Sequence, residues 1–157
     1  MPSKKKNASK KPGPASDVRT VTELASHAEL LEVFPLSFEA NRKDKNTPST
    51  SITADLRATP KAKYDADSGK ILVDVHFEMD GHPNPDAKVP PEVSIRLNLR
   101  LVYRAEVVPS HDALRAFAEH SGLHTAWPYW REFVQSATTR LGLPALTIPV
   151  FRLRLRQ

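Results

Sequence analysis

Trp127-Pro-Tyr-Trp-Arg-Glu-Phe133, running on through Thr139-Arg-Leu-Gly-Leu-Pro-Ala-Leu-Thr-Ile-Pro-Val150, is the stretch on which the reading of this chain turns. Trp127, Trp130, Val134, Ala137 and Leu141 recur at alternating spacings of three and four, which stacks them on one side of a helix that Gly142 and Pro144 then end. Tyr129 and Phe133 lie beside that stripe and widen it, with Arg131, Glu132, Gln135 and Arg140 as the strongly polar interruptions. So broad an apolar surface exceeds what one small sheet requires. The helix is therefore expected to be buried from more than one side, in an oligomer. Arg131 and Glu132 are neighbours in sequence and so point in different directions on a helix, which argues for separate inter-element hydrogen bonds and against an acid/base pair.

Upstream, the period is two. Phe34, Leu36, Phe38 and Ala40 alternate with Pro35, Ser37 and Glu39, and the proline places this strand at a sheet edge or at its own start. Ile52, Ala54, Leu56 and Ala58 define a second strand, and Ile71, Val73, Val75, Phe77 and Met79 a third. The fourth and longest sets Val93, Ile95, Leu97, Leu99, Leu101, Tyr103, Ala105 and Val107 against Ser94, Arg96, Asn98, Arg100, Arg104 and Glu106. One wet and one dry face per strand predicts an antiparallel sheet covered on a single side. A tight turn is expected at residues 65–69 and a longer, proline-rich loop at 81–91.

The flanks complete an α+β layout, a four-stranded antiparallel sheet with helices packed on one face. Residues 22–31 read either as two or three helical turns, with Leu24, Ala28 and Leu31 on one side, or as an extended lead-in. Ser110 caps a short helix through about His120 that Gly122 ends, and Pro128 opens the aromatic helix. After it, Leu146, Ile148, Val150 and Phe151 lead into an arginine-alternating edge strand to Arg156. Residues 1–20 form a flexible basic arm and 21–157 one folded domain.

Composition narrows the function by exclusion. The net charge is +5, but Lys4, Lys5, Lys6, Lys10 and Lys11 account for it, leaving the other residues balanced. That placement argues against a nucleic-acid surface on the folded part. With no cysteine, thiolate metal sites, disulfides and cysteine nucleophiles are out, and the cytosol is the default compartment. No apolar run approaches the ~20 residues of a membrane span, and the basic start lacks the apolar segment of a secretion signal.

His120 and His124 stand at helical zinc spacing, but with Gly122 between them and only Glu119 nearby they read as surface histidines. Asp65, Asp67 and Gly69 resemble the start of a calcium loop, yet the glycine is misplaced and His76 stands where the bidentate glutamate belongs. No phosphate loop and no framed serine nucleophile occurs. Neither an enzyme nor a cofactor or metal is expected.

Pro128, Tyr129, Arg131, Glu132, Arg140, Leu141, Pro144, Leu146 and Pro149, with Phe38-Glu39-Ala40 as a weaker second match, resemble the SecB-like export chaperone family. The resemblance implies an ATP-independent holdase, a homotetramer built as a dimer of dimers, whose sheets pair edge to edge with long helices sandwiched between. Relatives hold unfolded clients in apolar grooves, some for export and some guarding an antitoxin. Carried over, this makes Phe34, Leu36, Phe38, Trp127, Tyr129, Trp130 and Phe133 candidate client contacts, and Arg131, Glu132, Val134, Ala137 and Leu141 structural or interface positions. The match is imperfect at the wet sheet face. There Arg96, Arg100 and Arg104 mix with Asp74, Glu78 and Glu106, unlike the acidic face that export relatives offer to the SecA motor. Residues 41–48 lack the aromatic that relatives often place in the groove wall, and little chain is left after Phe151 for a lid helix. An adaptor dedicated to one partner, such as an antitoxin or secreted substrate, is the alternative. A nucleic-acid binder acting through the basic arm is the more distant one.

Overall fold

The computed structural model describes residues 21–43, 52–83 and 90–151. The basic arm, the terminal edge strand beyond Phe151 and most of the 41–48 loop lie outside the described residues.

Four strands, β1 (Ala28–Arg42), β2 (Thr53–Asp65), β3 (Lys70–His82) and β4 (Val93–Ala105), form one antiparallel sheet in the order β1-β4-β3-β2. The hairpins β2–β3 and β3–β4 are consecutive, and β1 crosses to the far side of β4, a Greek-key connection. The central strands β3 and β4 carry the uninterrupted alternation. Ile71, Val73, Val75, Phe77 and Met79 stand beside Ile95, Leu97, Leu99, Leu101 and Tyr103, and none of the ten exceeds 5% exposure. Burial of such side chains at ~1.5–3 kcal/mol each is what fixes the register, because a one-residue slip would put all of them on the wet face. Gly69, at φ 64°, closes the β2–β3 turn. Pro60 interrupts β2 harmlessly because β2 is an edge strand of the described sheet. The dry face of β4 ends at Ala105, two residues short of Val107, which is 47% exposed.

Strand β1 differs from expectation in extent and in phase. Residues 21–26 are helical, with Leu24 in the core, but the strand already begins at Ala28, so the 22–31 helix does not form as one piece. Register shifts between Leu30 and Glu32 and between Pro35 and Ser37 leave Leu31 and Leu36 as bulged residues. Phe38 and Ala40 stand opposite Leu97 and Ile95 on the dry face, whereas Phe34 stands opposite Arg100 on the wet face. The expected single face of Phe34, Leu36, Phe38 and Ala40 is thus split by the second bulge.

The helical layer is also rearranged. Helix α1 (His111–Phe117) is capped by Ser110, whose hydroxyl accepts from the Ala113 N–H at 3.2 Å. It then runs through a π-helical turn, Ala118–Gly122, straight into α2 (Leu123–Arg140). Gly122 therefore does not end a helix, and Pro128 lies inside α2 instead of opening it. α2 crosses β3 and β4 and ends beside β1, where the buried Arg42 guanidinium donates to the carbonyl of Leu141 at 3.1 Å. That cation meets the negative end of the helix, and Gly142, at φ 73°, turns the chain away.

Candidate functional site

The inner side of α2 is core. Trp130 is 1% exposed and stacks on Phe77 with ring centroids 5.1 Å apart, while Val134 and Ala137 are buried beside it. Trp130, expected among the client contacts, therefore offers no surface; its indole is held under the helix by the sheet. Trp127 is partly buried. It meets Phe77 edge to face at 6.0 Å and is roofed by Phe151 at 5.1 Å.

That roof belongs to an extended strap, residues 144–151, which doubles back along α2. A helix has no free backbone groups along its side, so side chains do the holding. Leu146 N–H donates to Thr138 Oγ1 at 3.1 Å, Arg131 Nε donates to the Ile148 carbonyl at 2.7 Å, and Trp127 Nε1 donates to the Pro149 carbonyl at 2.8 Å. Ile148 is buried between them at 1% exposure. Arg131 thus makes the inter-element bond expected of it. Glu132 instead lies exposed on the outer side, lining a shallow depression with Gln135, Ser136, Thr139 and Arg140. Leu141 is partly buried at the C-cap.

On the other flank of α2 the cover is incomplete. Phe38, 67% exposed, leans edge to face on Phe133 at 5.8 Å, and Phe133 stacks in turn on Trp130 at 6.4 Å. Further down β1, on the same dry face, Leu30 is 40% exposed opposite Tyr103. Tyr129, one helical turn before Phe133, is 46% exposed. Phe38 and Phe133, with Tyr129 on the same flank of the helix and Leu30 farther along the dry face of β1, give an apolar shelf between the helix and an edge strand of the described sheet. Leu30 was missed in the sequence because residues 22–31 admitted a helical reading and the bulge at Leu31 hides the strand period.

The reverse face of the sheet carries the remaining candidates, Phe34 and Leu36, among paired charges. Arg100 holds Asp74 through two bonds of 2.7 Å, and the hydrogen bond to Asp74 raises the Arg100 pKa above its ordinary value. Arg96 and Arg57 share Asp80 at 2.7 and 2.8 Å and Glu78 at 3.2 Å each. Asn98 bridges His76 and Ser37. This face is internally neutralised and not acidic.

Among the described residues no three His, Asp or Glu side chains cluster to hold a metal ion. His120 Nδ1 is 2.9 Å from the Ala116 carbonyl one turn back in its own helix. Asp65 caps its turn, with the Ser68 hydroxyl as the main cause of a carboxyl pKa below the ordinary value. No described helix is long and apolar enough to cross a membrane.

No protein-family model matches the chain, and no curated protein matches it in sequence. Among solved structures, the SecB-like chaperone Rv1957 of Mycobacterium tuberculosis, in complex with a ChAD peptide from the Rv1956 HigA1 antitoxin, superposes with a TM-score of 0.76. It is 24% identical, and the match covers 87% of this chain and 99% of that one. A protein of unknown function from Streptococcus agalactiae matches with a TM-score of 0.47 at 9% identity, over 78% of this chain and 96% of that one. The fold is that of a SecB-like chaperone, as the Pro128-to-Pro149 residues suggested.

Proposed function

We propose that this chain is a SecB-fold chaperone, a holdase without ATP chemistry that binds extended apolar segments of unfolded or export-competent proteins in the cytoplasm. The observation that carries the reading is the shelf of Leu30, Phe38, Tyr129 and Phe133, with Phe38 at 67% exposure on an edge strand. A monomer gains nothing by leaving such a ring in water, and a surface of adaptable apolar groups binds by burial at ~25 cal/mol per Å² without reading a sequence. Support for a peptide as occupant comes from the Mycobacterium tuberculosis neighbour, which is solved in complex with a peptide. Assembly into a homo-oligomer, as a dimer of dimers, belongs to the same proposal. It would cover the outer face of α2 and the edge strands. The neutralised wet face gives no support to SecA docking, and the basic arm alone supports no nucleic-acid role.

The test is aggregation of several unrelated denatured proteins, followed by light scattering with the chain present, alongside its mass in solution. A holdase delays aggregation of all of them; a monomer that delays none sinks the proposal. A second reading, an adaptor for one partner, is favoured by the antitoxin origin of the neighbour's peptide. Protection confined to one client, the product of an adjacent gene, would select it.

A further inference from the structure

The strap is not held uniformly. Ile148 is 1% exposed, but two residues on Val150 is 56% exposed, and among the described residues the segment there is held by the bond from Trp127 Nε1 to the Pro149 carbonyl and by the ring of Phe151. Phe151 lies 5.1 Å from Trp127 and 6.4 Å from His124, at tilts of 45° and 55°. The donors that hold this segment, Trp127 Nε1 and Arg131 Nε, both address backbone carbonyls, a group that every residue supplies. Pro149 has no N–H to pair. The segment is therefore bound as an extended peptide in passing would be: carbonyls to fixed donors and one aromatic side chain to an aromatic face.

We infer that the Trp127–His124 face of α2 is a subsite for an aromatic side chain of an extended client segment, filled by the chain's own Phe151 until a client displaces it. The inference rests on the chaperone reading above and adds a second contact point on the opposite flank of α2 from the Phe38 shelf. Detachment needs to reach only Pro149, since Ile148 anchors the rest in the core. A tethered occupant competes at an effective concentration in the millimolar range, so with an intrinsic dissociation constant of about a tenth of that, removing the Phe151 ring should tighten binding of a free aromatic ligand by about ten-fold.

The full chain is labelled with fluorotryptophan. Its two indoles give separate fluorine NMR lines, the Trp127 line being assigned with Trp127→Phe. Parent, Phe151→Leu and Phe151→Ala are each titrated with N-acetyl-valyl-phenylalaninamide and, separately, with reduced and alkylated lysozyme as an unfolded client. The subsite predicts that the dipeptide moves the Trp127 line and not that of buried Trp130, at about ten-fold lower concentration in Phe151→Ala than in the parent, with Phe151→Leu between. Equal dipeptide binding by all three, or no movement of the Trp127 line, overturns it. Lysozyme binding without the dipeptide preference overturns the subsite and leaves the chaperone reading standing. The preference without lysozyme binding supports the subsite and overturns the general holdase, leaving the adaptor for one partner as the reading it serves.

Discussion

A Cβ placed on Gly122 would stand 2.7 Å from Cγ1 of Val73, closer than carbon atoms tolerate. The π-helical turn rides directly on the sheet at this point, and only a residue without a side chain permits the approach. Gly122→Ala should therefore destabilise the fold by ~1–3 kcal/mol through overpacking. Val73→Ala opens the space that the added methyl needs. Urea midpoints of the two single variants and the double variant should give a favourable coupling of about 1 kcal/mol or more; strict additivity would contradict the contact.

Gly122 also illustrates what the sequence conceals. Read locally, a glycine followed six residues later by Pro128 is a helix end and a helix start; its actual reason lies in Val73, far away in the chain. The alternation of β2, β3 and β4 was legible because each of those strands runs without a bulge against its partner. Strand β1 was not. Phe34 and Phe38 stand four positions apart, an even step that a regular strand would keep on one face, yet the bulge at Leu36 puts them on opposite faces, and only the register against β4 reveals it. The aromatic stripe of α2 does lie on one face, but its inner member Trp130 is satisfied by Phe77 within the same chain. Phe38 and Tyr129 are the candidates left facing solvent on that flank.

Tyr103 gives the fold a vulnerability in base. Its ring is 5% exposed and its hydroxyl is buried without a partner in hydrogen-bonding geometry among the described residues. Burial pushes its pKa above 10.0; the nearby Thr125 hydroxyl opposes this and Tyr129 adds to it. With the folded pKa raised, the stabilisation is complete below the unfolded value and is lost as pH climbs through the folded one, because the unfolded phenol ionises first. Denaturant midpoints should fall as pH rises beyond about 10. Tyr103→Phe should flatten that fall, and at neutral pH change stability by no more than about 1 kcal/mol, since the Thr125 hydroxyl is near but outside good hydrogen-bonding geometry.

Thr138 ties strap to helix. It is 2% exposed, donates to the Val134 carbonyl at 2.9 Å and accepts from the Leu146 N–H at 3.1 Å. Thr138→Val keeps the shape and strands that N–H, at a cost of ~1–3 kcal/mol. Hydrogen exchange should accelerate first at Leu146 and its neighbours, with β3 and β4 protected as before. Uniform acceleration would mean that the strap unfolds only with the whole domain.

Phe38 separates stability from capture. At 67% exposure, and touching its own helix chiefly through the edge of Phe133, it contributes little that its loss would remove from the core. Phe38→Ser should leave the unfolding free energy within the scatter of a surface change, roughly ±0.5 kcal/mol. If the shelf takes apolar client segments, the same change removes the largest exposed ring from it, and affinity for an unfolded protein should drop about ten-fold or more. Phe34→Ser serves as the control, because the bulge at Leu36 turns Phe34 onto the opposite, ion-paired face. Unfolded-client affinity measured by fluorescence anisotropy should therefore fall for Phe38→Ser and hold for Phe34→Ser. The reverse order would move the client to the wet face of the sheet, and equal losses would mean that neither face alone defines the site.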